Sequence, residues 1–412
     1  MAKNIPLTLA CGNYEIVRSL IDGTVSPDGI DLTILTDMDS TTRHWRFLRE
    51  GHFDVCETSC SSYIVGRDKG LAITAIPVFL FRKFRHGNVF VNPKAGIASP
   101  KDLIGQRIGC ATLQPASNVW ISGIMQQYHG VPHRSQTWVV EREEDAPIVP
   151  PADLKIERLP KGKSVLAMLL DGEVPALMLP QTPKPLLDGD PRIARLFPDY
   201  VAQERAYFKD TGIFPIMHVT AIKQELVERY PWLPGKLCEA FETAKQMGYR
   251  RMENVRVVTL PWFGAHWEDE RALFGPDPWA YGLGGKNREI LDTVVRYSHE
   301  QGLIAQRVPV ESLFVAESAS PGDLPPVPAV TPALIDIDLA GFVRANRSAR
   351  GASRQEWGFL KPVMRRSFLE AHGLRYREQL RLGEDYEFYV RALLAGARYK
   401  VVHHCGYAAV VR

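Results

Sequence analysis

Hydrophobic residues recur at two spacings along the first 318 residues, and the two spacings alternate. Leu7, Leu9 and Cys11 alternate with other residues as in a strand, and a helical spacing follows over 14–20. A Ser-Pro-Asp-Gly sequence at 26–29 is typical of a turn. The segments after it predict a strand over 30–34, a polar helix over 41–49 and a buried strand over 71–80.

A hydroxyl-rich segment interrupts this first unit. Phe53 and Val55 indicate a short strand, and the sequence Glu-Thr-Ser-Cys-Ser-Ser at 57–62 predicts a loop after it. Serine hydroxyls and backbone N–H groups at the start of a helix can bind an anion. The segment is therefore a candidate binding loop.

A second unit repeats the alternation of strand and helix. A turn and strand over 105–110 precede a helix that begins at 114–118 and runs to about 128, and proline and charge over 140–163 predict an excursion. Further segments predict helices over 164–170, 224–251 and 287–302 and strands over 176–179 and 214–222. Alternation of this kind is typical of an α/β fold with a mostly parallel sheet, and two such units predict two lobes around a ligand cleft.

Composition excludes several other classes of protein. The chain has a net charge of +3, six cysteines without a CxxC pair, and no apolar run long enough to span a membrane. The first residues do not resemble a signal peptide, so we expect free thiols and a cytoplasmic protein. The histidines lack metal-ligand spacing, and no GxGxxG or Walker sequence is present. We therefore expect no metal, no cofactor, no nucleic-acid partner and no membrane partner.

The last part of the chain differs from the rest. Five prolines fall within 318–332, which is the composition of a linker, and the net charge changes from −3 over 1–330 to +6 over 331–412. We predict a two-lobed domain over 1–318, a linker over 319–332 and a separate segment over 333–412. Lobe 1 would comprise about 1–85 and 215–318, and lobe 2 about 86–214.

Several long phrases of the first part resemble one family. They include LTLACGNYE at 7–15, FDVCETSCSSYIVGR at 53–67, AIPVFLFRKFRH at 75–86, GDPRIARLFPDY at 189–200 and TGIFPIMH at 211–218. Residues 5–317 are similar to the 4,5-dihydroxyphthalate decarboxylase family, which is related to type 2 periplasmic binding proteins. The resemblance implies a two-lobed fold that removes carbon dioxide from a small aromatic carboxylate. The alternative is a carboxylate-binding protein without catalytic activity.

Decarboxylation of a hydroxylated phthalate needs a cationic clamp and an acid that protonates ring carbon. Arg82, Arg85 and His86 are the clamp candidates, with Arg85 and His86 expected at the catalytic centre, because guanidinium pairs with carboxylate through two hydrogen bonds. The same residues also fit a solvated basic turn. His218 is the candidate acid or base, since imidazole titrates near neutral pH, although it also fits a core histidine.

The remaining candidates bind substrate oxygens. Ser59, Ser61 and Ser62 supply hydroxyls in the predicted loop, or serve as helix caps. Polar residues at other strand-to-helix turns and loops complete the set: Asn13, Tyr14, Gln114, Ser117, Asn118 and Lys184.

The C-terminal segment, about 334–412, resembles the end of a family 2 glycosyltransferase. The resemblance rests on Gly383-Glu384-Asp385 ahead of an amphipathic helix, and it implies that Asp385 is the base. Such enzymes also need an N-terminal nucleotide-binding half, which this chain lacks. We therefore predict a partial GT-A-like segment without transferase activity, and its exposed half-core is a candidate contact in a homo-oligomer.

Overall fold

The structure is a computed structural model that describes residues 4–315 and five shorter segments, 334–337, 366–374, 384–395, 398–402 and 408–411. The chain forms two compact units that divide after Leu324. The predicted linker, 319–332, lies outside the described residues.

Eleven strands and eleven α-helices make up the described part of the first unit. The strands are β1 (Ile5–Ala10), β2 (Ile30–Leu35), β3 (Val55–Ser59), β4 (Ile73–Ile76), β5 (Val89–Val91), β6 (Arg107–Cys110), β7 (Thr137–Val140), β8 (Lys155–Arg158), β9 (Ala176–Met178), β10 (Ala194–Arg195) and β11 (His218–Lys223). The helices are α1 (Arg18–Ile21), α2 (Ser40–Leu48), α3 (Cys60–Asp68), α4 (Ala116–Gln127), α5 (Val165–Leu170), α6 (Lys184–Leu187), α7 (Tyr200–Thr211), α8 (Gln224–Arg229), α9 (Leu233–Met252), α10 (Phe263–Phe274) and α11 (Lys286–Glu300).

The strands form two sheets, one in each lobe, which confirms the predicted two-lobed α/β fold. Lobe 1 has the order β2-β1-β3-β11-β4, and lobe 2 has the order β10-β5-β9-β6-β7-β8. Both sheets are mixed but mostly parallel, as predicted, because one strand in each sheet runs opposite to all the others. Strand β11 runs antiparallel to β3 and β4, and β5 runs antiparallel to β9. These are the strands by which the chain returns to lobe 1 and enters lobe 2.

The predicted binding loop at 57–62 is not a loop. Strand β3 continues to Ser59, and helix α3 begins at the next residue. The Ser59 hydroxyl caps this helix by accepting from the backbone N–H of Ser62 at 3.4 Å. A side-chain cap at the strand's last residue allows the chain to turn from strand to helix without intervening residues.

Three other local predictions also differ from the structure. The buried strand predicted over 71–80 ends at Ile76, because Pro77 cannot donate a ladder hydrogen bond, although 78–80 remain buried. The excursion at 140–163 contains β8, which pairs in parallel with β7. Helices α7 and α10 were not expected from the sequence.

The two lobes share a continuous apolar core. Two chain segments connect the lobes, and Arg82 in one forms an antiparallel bridge with Ile216 in the other. Helix α11 packs against α3 of lobe 1 and α4 of lobe 2. At this contact a Cβ on Gly123 would lie 2.1 Å from the Tyr297 ring, so only glycine permits the close approach of these helices.

The second unit has a small antiparallel sheet and two described helices. Strands β12 (Leu334–Ile337), β13 (Arg398–Val402) and β14 (Ala408–Val411) lie in that order, with helices α12 (Arg366–Ala371) and α13 (Glu384–Leu394). Helix α13 follows the Gly-Glu-Asp sequence as predicted. Asp385 lies in its first turn, and the Asp385 side chain lies outside the described part of the structure.

Among the helices described in both units, no helix is both long enough and apolar enough to cross a bilayer.

Candidate active site

A cavity of about 370 Å³ lies between the lobes of the first unit. Lobe 1 contributes the turn after β1, the start of α2 and the beginning of β11. Lobe 2 contributes the start of α4 and the residues after β9. The segment over 81–85, which connects the lobes, forms another side. Loops at strand ends and helix N-termini from two lobes therefore surround a space suited to one small molecule.

Glu57 lies directly behind this cavity and is fully buried. Its Oε1 accepts from the Tyr14 hydroxyl at 2.8 Å and contacts Nδ1 of His218 at 2.5 Å. Its Oε2 accepts from the backbone N–H of Gly12 at 2.7 Å and from Nη2 of Arg43 at 2.8 Å. Burial alone would raise the pKa of Glu57, but His218 and Arg43 outweigh it and lower the pKa to about 2. Glu57 is therefore an ionised carboxylate.

The Glu57 contact fixes the orientation of the His218 ring. Because Nδ1 is engaged by the carboxylate, Nε2 is the ring nitrogen left for a ligand in the cavity. Burial lowers the pKa of His218, and the negative charge of Glu57 opposes this shift. His44 meets His218 edge to face, with ring centroids 4.8 Å apart, and burial lowers the pKa of His44 well below its usual value. A neutral His44 ring thus packs beside His218.

An aromatic wall continues from His218. The Phe81 and His218 ring centroids lie 5.0 Å apart, and Tyr14 and Phe81 are nearly parallel with centroids 6.0 Å apart. All three rings line the cavity. Such a surface can stack against a planar ring in a ligand.

Four cationic side chains line the cavity: Arg43, Lys83, Arg85 and Arg142. Arg85 is 3% exposed, and its Nη1 donates to the Pro180 carbonyl at 2.8 Å. Burial lowers the pKa of Arg85 to about 10, so the guanidinium remains charged at neutral pH. Asp145 lines the cavity and Glu57 lies behind it, which leaves an excess of two positive charges. The cavity therefore suits a ligand with two negative charges.

The start of helix α4 adds polar groups from lobe 2. Its first backbone N–H, from Ala116, donates to the Ser59 hydroxyl at 2.9 Å, and Ser117 and Asn118 line the cavity. The buried Oδ1 of Asn118 has no hydrogen-bond partner among the described residues. The N-terminus of a twelve-residue helix also favours a bound anion.

The structure brings together seven of the residues predicted from sequence. Asn13, Tyr14, Ser59, Arg85, Ser117, Asn118 and His218 all line the one cavity.

The structure excludes six predicted residues from the cavity, and the first three are the basic candidates. Arg82 lies on the opposite side of the connecting segment, where it donates to carbonyl and amide oxygens. His86 is 1% exposed and packs among rings that include Phe197 and Tyr207. Lys184 is exposed and pairs with Asp188 one helical turn away. The structure thus places these three side chains away from the cavity, because sequence position does not show the direction of a side chain.

The other three excluded residues use their polar side chains within the protein: the two serines reach from lobe 1 to lobe 2, and the Gln114 side chain bonds within lobe 2. The Ser61 hydroxyl donates to the Gln114 carbonyl at 2.5 Å, and the Ser62 hydroxyl donates to Oδ2 of Asp145 at 3.1 Å. The Gln114 side chain exchanges two hydrogen bonds with the backbone of Ala146. Their polar atoms are thus used within the protein.

Several cavity residues were missed from sequence. Glu57 and Arg43 form the buried ion pair, and Phe81, Asp145 and Arg142 line the cavity. A carboxylate between buried positions of β3 was the available signal for Glu57. No such signal exists for Arg43, since helix α2 resembles a solvated polar helix.

In the described part of the chain, no cluster of three or more histidine, cysteine or acidic residues has the geometry to hold a metal ion.

The fold and cavity define a two-lobed α/β protein with a cavity for a small ligand between its lobes. Residues 26–153 match the NMT1/THI5-like family. The chain is 34% identical over 321 residues to 4,5-dihydroxyphthalate decarboxylase from Comamonas testosteroni, which covers 76% of this chain and 97% of that protein. The chain therefore belongs to the 4,5-dihydroxyphthalate decarboxylase family.

Two further comparisons concern the tail and the fold. The C-terminal part is 68% identical over 84 residues to the succinoglycan biosynthesis protein ExoU from Rhizobium meliloti, and these residues span 24% of that protein. The alkanesulfonate-binding protein SsuA from Xanthomonas axonopodis is 13% identical, with a TM-score of 0.46, and the match covers 76% of this chain and 99% of SsuA.

Proposed function

We propose that this protein removes one carboxylate, as carbon dioxide, from a hydroxylated aromatic dicarboxylate such as 4,5-dihydroxyphthalate. Membership of the decarboxylase family supports this reaction class. The cavity is of suitable size, and its charge suits a dianion. The aromatic wall suits the ring of such a substrate.

The pairing of Glu57 with His218 carries the proposal. Decarboxylation consumes one proton, so the site needs a group that can deliver a proton to ring carbon. The Glu57 carboxylate holds Nδ1 of His218 at 2.5 Å, which leaves Nε2 to act on the substrate. A histidine oriented by a buried carboxylate is an effective general acid or base.

The surrounding residues suit the two ends of the substrate. Arg85 and the start of α4 bind the retained carboxylate, since both offer hydrogen-bond donors and positive charge. Asp145, fixed by Ser62, accepts a hydrogen bond from the phenol and increases the electron density of the ring. Stacking on Phe81 holds the ring plane beside His218.

The reaction then proceeds in two steps. The protonated Nε2 of His218 gives its proton to the ring carbon that bears the departing carboxylate, while the phenol oxygen supplies electron density to the ring. The bond between that carbon and the carboxylate then breaks, its electron pair restores the aromatic ring, and neutral carbon dioxide leaves. Water returns a proton to His218. Before the first step, Glu57 stabilises the imidazolium and so keeps the proton available at Nε2.

The full-length protein should release carbon dioxide from 4,5-dihydroxyphthalate, and His218→Gln should lower kcat by about 10²-fold or more. His133→Gln is a matched control, because His133 is also buried but lies outside the cavity. Binding of the substrate without release of carbon dioxide would refute the proposal and support the non-catalytic carboxylate-binding protein.

A further inference from the structure

The segment that connects the lobes presents its side chains to two different cavities. Phe81 and Arg85 line the cavity described above, whereas Arg82 and Phe84 line a second cavity. Lys83 lines both. In an extended segment, successive side chains point to opposite sides, and the antiparallel bridge at Arg82 holds the segment in that form. The second cavity therefore lies behind the connection between the lobes.

The second cavity has a volume of about 240 Å³ and aromatic walls. Phe84, Phe214 and Phe274 pack around one side, with Phe84 and Phe214 ring centroids 4.9 Å apart. Tyr200 lies on the lobe 2 side, where the Arg195 guanidinium stacks 4.9 Å from its ring centroid. The size and the walls suit a ligand with a single aromatic ring.

Two arginines at this cavity have only neutral partners. Arg82 is 4% exposed, and it donates to the Phe214 and Ala280 carbonyls and to the Asn287 amide oxygen, while its Nε has no partner. Arg195 donates to a backbone carbonyl and a threonine hydroxyl. Within the described residues, neither arginine has a carboxylate at ion-pair distance. Arg82 is buried and Arg195 is half-buried. A guanidinium that is shielded from solvent and has no counterion favours binding of an anion.

Charge at the cavity favours a monoanion. Arg82 and Arg195, with Lys83 shared between the two cavities, face the carboxyls of Glu204 and Glu270, so the excess of positive charge is at most one. Burial raises the pKa of Glu204 to about 7, so this carboxyl is partly protonated near neutral pH.

We propose that this second cavity is a binding site for an aromatic monocarboxylate, with the ring against the aromatic side chains of Phe84 and Phe274 and the carboxylate beside Arg195. The reaction proposed above converts an aromatic dicarboxylate into an aromatic monocarboxylate, so the product belongs to the ligand class of this site. That link rests on the proposed function, whereas the site itself does not.

Occupancy of the site should affect the active site through the connecting segment. Phe274 belongs to lobe 1 and Arg195 to lobe 2, so one ligand contacts both lobes at once. Lys83 belongs to both cavities, and Arg85 follows two residues later. A bound monocarboxylate therefore favours one arrangement of the lobes and of these two cations, and we expect it to inhibit turnover.

Calorimetric titration of the full-length protein with benzoate tests the site without any turnover. We expect two benzoate molecules per chain. Arg195→Gln should weaken benzoate binding at the second cavity by about tenfold or more and leave binding at the first cavity unchanged. Arg85→Gln should weaken binding only at the first cavity. Arg192→Gln is the matched control, because Arg192 is exposed, pairs with Asp190 and lies outside the cavity. The proposal would be overturned if the wild-type protein bound one benzoate per chain and Arg85→Gln abolished that binding.

A second variant covers the case in which Arg195→Gln fails to fold. Phe274→Leu keeps an apolar residue but removes an aromatic wall, and it should weaken the same site. Inhibition of turnover by 3,4-dihydroxybenzoate should have a noncompetitive component that Phe274→Leu removes. A purely competitive pattern in the wild-type protein would refute the inhibitory role. If no carbon dioxide were released, the proposed function would be refuted. The number of benzoate molecules bound per chain would still test the second site, because that measurement needs no turnover.

Discussion

Replacement of Glu57 by glutamine tests the link between the buried carboxylate and catalysis. The carboxylate accepts four hydrogen bonds, two at each oxygen. Glutamine keeps one acceptor oxygen, so two of the four donors lose their acceptor in either amide orientation. Each buried donor left unpaired costs about 1–3 kcal/mol, so Glu57→Gln should lower the free energy of unfolding by about 2–6 kcal/mol.

The catalytic effect should exceed the effect on stability. Without the carboxylate, Nδ1 of His218 loses the acceptor that fixes its proton, and the imidazolium loses its counterion. We expect kcat to fall by about 10²–10⁴-fold. Because the charge of Glu57 raises the pKa of His218, its removal should lower that pKa. The alkaline limb of the kcat profile should therefore move to lower pH.

The assay is carbon dioxide release across the pH range, together with denaturant unfolding of each variant. Glu144→Gln is the matched control, because Glu144 is a buried carboxylate that accepts two backbone N–H groups outside the cavity. It should lose stability but keep kcat. A folded Glu57→Gln protein with kcat within about threefold of wild type would refute the reasoning.

Three further predictions follow from the other candidate residues. Arg85→Gln should raise KM by about tenfold or more, because Arg85 lines the cavity. Arg82→Gln should reduce stability and leave KM unchanged. The same KM in the two variants would contradict this prediction. Burial lowers the pKa of His86 to about 4, so stability should fall as pH drops from about 6.5 to 4. In this pH range only the unfolded chain binds a proton at His86. The free energy of unfolding of His86→Phe should therefore change less steeply with pH than that of the wild-type protein, by up to about 1.4 kcal/mol per pH unit. Lys184→Ala should change neither kcat nor the unfolding midpoint, since its partner is the exposed Asp188.

Local pattern was sufficient for most of the elements that build the cavity. Alternation at 5–10 and 30–35 identified β1 and β2, and the residues at 116–127 form the predicted helix that begins at the site. The strand-to-helix turn at Asn13 and Tyr14 and the histidine at 218 were also recognised correctly as cavity residues. These features depend on residues close together in sequence.

Direction and long-range pairing required the tertiary structure. Arg82 and Arg85 are three residues apart in one basic sequence, yet they line different cavities because an extended chain alternates its side chains. Glu57 meets His218 only because β3 and β11 pair with Ser59 opposite His218.

The sequence by itself therefore determined the two-lobed α/β class, the family and seven of the residues that line the cavity. The tertiary structure decided which groups form the buried network. It also showed that Ser61, Ser62 and Gln114 form hydrogen bonds within the protein and do not line the cavity. The physical reason is that hydrophobic spacing specifies which face of an element is buried, whereas a polar site depends on partners far apart in the chain, whose positions only the packed fold defines.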